Sequence, residues 1–130
     1  MSDRGTQRER TIRRMLETDG WVVIRAAGSL GIDLVAARDG TCRWPGTERW
    51  AHLHNALLFI EVKSTAGGPF ERFGPGERSQ LLELADIAGA DALLAWWPPK
   101  GELRWIASEE WPRAEKRQRP PLTGGVGSSA

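Results

Sequence analysis

The stretch of residues 56–62, ALLFIEV, is apolar at six of its seven positions, and a strand of that kind has no face to offer water. Seven residues suit a strand better than a helix. A strand that is apolar on both sides needs cover on both sides, which places it inside a sheet with helices packed above and below. The neighbouring sequence supplies those pieces. From Gln7 to Thr18, Ile12, Met15 and Leu16 fall at helical spacing with charges opposite, and Asp19-Gly20 ends the pattern. Residues 77–89 carry Leu81, Leu82, Leu84, Ala85 and Ala88 on one stripe, closed by Gly89. Strands fit Trp21–Ala27, Ile32–Ala37, Asp91–Trp97 and Glu102–Ile106, the last two separated by the turn Pro98-Pro99-Lys100-Gly101. The order is helix, three strands, helix, two strands. It predicts an α/β domain built on one mixed sheet of about five strands flanked by helices.

A chain of 130 residues with 40% hydrophobic content suits one core. We expect one folded domain over residues 1–112. Beyond it, 113–130 is rich in Arg, Pro, Gly and Ser and ends in GGVGSSA, which reads as a disordered tail. The segment from Thr41 to Leu57 follows no period and reads as an insertion or long hairpin loop. Its His52 and His54 have no further Cys or His ligands nearby, so zinc is a poor assignment. Cys42 is the only cysteine, which excludes an intramolecular disulfide and favours a reducing setting. No apolar run approaches the ~20 residues of a membrane span, so no membrane partner is expected and the localisation is read as cytoplasmic, in the host cytoplasm if a virus encodes the chain. Charge is balanced, 18 Lys plus Arg against 17 Asp plus Glu, but Arg4, Arg8, Arg10, Arg13 and Arg14 crowd into one short stretch. They form either a positive face for a polyanion or an ordinary solvated helix face.

Asp33 interrupts the apolar run GIDLVAA, and Glu61 with Lys63 ends FIEVKST. Charges inside strands are costly unless a partner compensates them. Alternation along a strand turns Glu61 and Lys63 to one face and Val62 to the other. If the Asp33 strand lies beside the Glu61 strand, two carboxylates converge next to an ammonium. Hard oxygen ligands of that kind suit Mg²⁺ or Mn²⁺, which keep several waters and accept phosphate oxygens. Such a centre hydrolyses phosphodiesters: the ion polarises the phosphate and acidifies a water, while Lys63 positions that water or stabilises developing charge. Glu9, on the first helix, can reach the ion through a water. The competing reading is a surface strand with a simple salt bridge, worth ~0–1 kcal/mol.

Asp33 followed by Glu61-Val62-Lys63 resembles the PD-(D/E)XK nuclease signature, with Ile32 where the proline stands. More narrowly, Arg4-Gly5, Glu9-Arg10, GWVVIRAAGSLGIDLVA and FIEVKST resemble the archaeal-type Holliday junction resolvases, with a looser match to about residue 111. The resemblance implies a restriction-endonuclease-like mixed sheet and a homodimer that cuts paired strands of a four-way DNA junction with Mg²⁺. It implies Glu9, Asp33, Glu61 and Lys63 as the catalytic set. Ser29 then lies near the scissile phosphate, and Val62 offers its backbone carbonyl to the metal. Arg10 and Arg25, with Arg4 beside them, grip DNA, and Gln80 is an auxiliary polar position or a plain solvated helix residue. The segment from Thr41 to Leu57 is longer than the turn the archaeal proteins use, and the tail has no counterpart in them. Two alternatives therefore stay open. One is a nuclease of the same fold acting on another DNA substrate, restriction-like, repair or single-stranded; the other is a DNA-binding module without the chemistry.

Overall fold

The structure, a computed structural model, describes residues 3–38 and 57–112, the side chains of Asp3 and Arg4 excepted. Residues 41–56 of the expected insertion, with Cys42, His52 and His54, lie outside the described residues, as does the tail 113–130. Leu57, where the expected insertion and the expected strand 56–62 overlap, opens a strand, as the second of those readings has it.

Helix α1 spans Asp3–Thr18. It begins before the expected Gln7 because its first turn is polar and has no apolar position to announce it. Ile12 and Leu16, one turn apart, are fully buried, while Met15 on the flank is partly exposed. Strand β1 is Val22–Arg25, β2 Leu34–Ala37 and β3 Leu57–Lys63. Helix α2, Pro75–Ala88, starts on a proline, whose missing N–H costs nothing in a first turn, and closes on left-handed Gly89. Strands β4, Asp91–Trp96, and β5, Arg104–Ala107, complete a sheet of order β1-β2-β3-β4-β5. All pairings are antiparallel except β3 with β4, which run parallel through the α2 crossover.

The strand alternation divides the core into two layers. Leu34, Ala36, Leu58, Ile60, Leu93 and Ala95 meet Ile12, Leu16, Trp21 and Val23 on the α1 side. Ile32, Ala92, Leu94 and Ile106 meet Phe73, Leu81, Ala85 and Trp111 on the α2 side. This is the double cover that ALLFIEV requires. Of the two readings of Leu93–Trp97, core or contact surface, core holds for Leu93, Leu94 and Ala95, while Trp96 and Trp97 are half-buried.

The segment between β3 and α2 is pinned by its aromatics. The Trp96 indole N–H donates to the Thr65 carbonyl at 2.9 Å. Phe73 is buried edge-on to Trp111, ring centres 5.0 Å apart, a burial that contributes about 1.5–3 kcal/mol. The C-terminal end of β3 is thereby fixed from the α2 side.

Candidate active site

Leu34 of β2 stands opposite Ile60 of β3, and Asp33 immediately precedes Leu34. The Asp33 N–H donates to the Ile60 carbonyl at 3.1 Å. Its carboxylate accepts the Val62 N–H at 2.8 Å, so a side chain continues the ladder where the β2 backbone leaves it. The β1–β2 turn forces that departure. Ala27 and Leu30 sit at φ 52° and 57°, left-handed values that cost a side-chain-bearing residue roughly 1–2 kcal/mol. The Ala26 N–H to Asp33 carbonyl and Gly28 N–H to Ile32 carbonyl bonds, both 2.8 Å, hold the turn closed.

On β3, Val62 packs into the α1-side core while Glu61 and Lys63 face the other way, as alternation dictates. The Lys63 Nζ lies 3.2 Å from Glu61 Oε2, the two side chains 22% and 12% exposed. Glu9 comes from α1, and its Oε1 accepts the Arg25 Nε–H at 2.8 Å. All four expected catalytic side chains, Glu9, Asp33, Glu61 and Lys63, line one cleft of about 330 Å³, together with Val62, Arg25, Gly5, Thr6 and Ala27. A second cleft of about 270 Å³ adjoins it, lined by Thr6, Glu9, Arg10, Arg13, Arg25 and Leu34.

Other expected residues fall elsewhere. Ser29 and Gln80 are exposed and line neither cleft. The Arg4 side chain lies outside the described residues. The arginine cluster is split: Arg10 and Arg13 line the second cleft, but Arg8 turns inward and donates to the carbonyls of Trp97, Pro98 and Pro99 and to Ser64 Oγ. Its guanidinium also stacks over the Trp97 ring. Nothing in the spacing separates Arg8 from its neighbours. Arg13 does carry a signal, since it follows Glu9 by four residues and Arg10 by three and so shares their helix face.

Electrostatics single out the acids. Burial raises the Glu61 carboxyl to about 7, with Asp33 adding to the rise and Lys63 only partly opposing it. Asp33 is also raised, first by burial and further by Glu9, against the Val62 N–H, Lys63 and Arg25. One ammonium thus leaves the acids under-neutralised, and an oxygen-only donor set suits a hard divalent cation. Among the described residues no three His, Cys, Asp or Glu side chains gather as a metal-holding group. The donors that fit an ion are the pair Asp33 and Glu61 with the Val62 carbonyl. Mg²⁺, typically bound by one or two carboxylates and several waters, asks for no more.

Comparison with known proteins finds relatives both in sequence and in structure. The family model described as archaeal Holliday junction resolvase (Hjc) matches residues 1–44. The crossover junction endodeoxyribonuclease Hjc of Methanocaldococcus jannaschii is 51% identical over 92 residues, which take in 71% of this chain and 57% of that protein. The chain thus spans little more than half the length of that curated relative. The solved structure of Archaeoglobus fulgidus Hjc, described as a Holliday junction resolvase from an archaeal hyperthermophile, superposes with a TM-score of 0.61 at 27% identity, covering 87% of this chain and 80% of that one. With the sheet, the helices and the Asp33, Glu61 and Lys63 constellation in place, the chain is similar in sequence and in fold to the archaeal Holliday junction resolvases (Hjc).

Proposed function

We propose that this chain is a Mg²⁺-dependent endodeoxyribonuclease that acts as a homodimer and nicks paired strands of four-way DNA junctions in the cytoplasm. Mn²⁺ substitutes for Mg²⁺ in this reading. The observation that carries it is the convergence of Glu9 from α1, Asp33 from the residue before β2, and Glu61 and Lys63 from β3 on one cleft. The relatives' descriptions, a crossover junction endodeoxyribonuclease and a Holliday junction resolvase, support the substrate. Among the described residues no helix is long and apolar enough to cross a membrane.

Asp33, Glu61 and the Val62 carbonyl would hold the divalent ion, with Glu9 joining through a water. The ion supplies charge neutralisation at the phosphate and acidifies a water. Asp33 keeps its position through the Val62 N–H bond, which occupies one of its oxygens. Lys63 carries the ammonium nearest the acids, at 3.2 Å from Glu61. From there it orients the attacking water and stabilises charge developing on the phosphate. Arg25, more than half exposed at 52%, and Arg10 contact the flanking phosphates. Domain limits of 1–112 and a separate tail belong to the same proposal.

The test is cleavage mapping on a synthetic four-way junction, a linear duplex and a single strand of matched sequence, with Mg²⁺. Paired symmetric nicks confined to the junction are expected. Equal cutting of the linear duplex would replace the junction substrate while keeping the nuclease, and no cutting of any DNA would leave the binding-module reading.

A further inference from the structure

The two clefts share a wall. Thr6, Glu9 and Arg25 line both, so the catalytic cleft and the one bounded by Arg10 and Arg13 lie side by side on the surface. Asp33, Glu61 and Lys63 line the first cleft, Arg10 and Arg13 line the second, and Glu9, paired to Arg25, stands between them. Adjoining clefts of this kind fit a strand whose scissile phosphate shares a cation with the acids while a neighbouring phosphate meets the guanidiniums.

We infer that Arg13 is a further DNA-binding residue, seating a phosphate beside the scissile one in this second cleft. The inference rests on the nuclease reading above and names where its substrate strand runs. Arg13 stands one turn beyond Glu9 on the same helix face, about 6 Å along the axis. One DNA strand carries a phosphate about every 3.4 Å of duplex axis, so that step corresponds to one or two phosphates. Among the described residues the guanidinium of Arg13 is engaged only with Glu17, at 3.1 Å, in a solvent-exposed pair one helical turn long. A phosphate offering two oxygens to the planar fork displaces such a pair. Arg14, adjacent in sequence, is exposed and lines neither cleft. It therefore serves as an internal control with the same charge on the same helix.

The experiment measures binding of a labelled four-way junction by fluorescence anisotropy in EDTA, from about 50 to about 200 mM salt, for the wild type, Arg13→Gln and Arg14→Gln. Arg13→Gln is expected to weaken binding several-fold and to lower the slope of log K against log salt by about 0.9, the loss of one phosphate contact. Arg14→Gln keeps the wild-type slope and the wild-type rate of junction cutting with Mg²⁺. Equal shifts for the two variants would overturn the inference, because a uniform change reports the general field of the helix. An unchanged slope for Arg13→Gln would overturn it too. Cutting by the wild type in the same preparation separates this failure from failure of the nuclease reading, since a wild type that cuts DNA leaves only the strand path in question.

Discussion

In the absence of metal, the Glu61 carboxyl makes the folded chain less stable as pH rises, and Glu61→Gln should remove that dependence. Its folded pKa is about 7 against an ordinary 4.5, with burial the largest cause. A group whose folded pKa is raised stabilises the fold fully below the unfolded value and loses that contribution as pH climbs through the folded one. The window is therefore pH 4.5 to about 7. Linkage between those two values gives a loss of about 2.5 kcal/mol between pH 5 and pH 8. The side chain is 12% exposed, and residual solvation trims the expected difference to about 1–2 kcal/mol. Glutamine keeps the shape and cannot ionise. The ionic attraction of Lys63 acts only on the charged carboxylate and is already contained in the folded pKa, so the change with pH reads the titration as a whole. Urea unfolding in EDTA, followed by Trp fluorescence, measures both proteins at pH 5 and pH 8. The variant should gain on the wild type by about 1–2 kcal/mol at the higher pH. An identical gap at the two values would show that Glu61 is not strained by its surroundings, and the argument for a cation between the acids would fall with it.

The same titration reaches the metal: Mn²⁺ affinity should drop as pH falls below about 7, because Glu61 must lose its proton to bind. Calorimetry in two buffers of different ionisation enthalpy would register the released proton, and affinity flat from pH 5 to pH 8 would contradict it. Asp33→Asn leaves a carbonyl oxygen for the Val62 N–H, so the unfolding midpoint should hold while junction cutting falls at least ~100-fold, the scale of losing one electrostatic contributor at a reacting phosphate. A variant that cuts at the wild-type rate removes Asp33 from the mechanism. Arg8→Ala strips the donor shared by the carbonyls of residues 97–99 and should cost about 1–3 kcal/mol in urea unfolding. A loss within the error of the measurement would mean that these carbonyls are served equally well by water.

Legibility in the sequence followed the strength of each local signal. The doubly apolar β3 and the stripe of α2 announced the sheet and its cover, because burial leaves a periodic mark. Element ends slipped where no apolar residue marks them, as in the polar first turn of α1 and at Pro75. Asp33, Glu61 and Lys63 were visible because charge within an apolar run demands an explanation. Their closeness was not, since it depends on β2 lying beside β3, a pairing between residues far apart in the chain. Arg8 shows the converse limit. It looks like a solvated charge among arginines, yet the β4–β5 turn folds back to present three carbonyls to it. That arrangement is non-local, and composition cannot register it.

A formal charge of +1 gives a chain little overall attraction for a polyanion, so the placement of its charges decides. Screening over about 8 Å at physiological salt means a phosphate senses only the side chains nearest it, so the total matters little beside the arrangement. Here Asp33 and Glu61 line one cleft, Arg10 and Arg13 line its neighbour, and Glu9 and Arg25 line both. In the proposed reading the cleft of Asp33 and Glu61 alone repels a phosphate, and a divalent ion alone would find two half-buried carboxylates and a carbonyl there. In that reading each would offset what the other lacks: the ion would favour the ionised form of Glu61 against its burial and the nearby Asp33, and the phosphate would add oxygen ligands that the protein does not provide. By thermodynamic reciprocity, whatever factor the ion adds to DNA affinity, DNA adds to the affinity for the ion. In the proposed reading this mutual dependence keeps the centre incomplete until the strand lies across the two clefts, with selectivity for a branched substrate resting on how Arg10, Arg13 and Arg25 seat the strand.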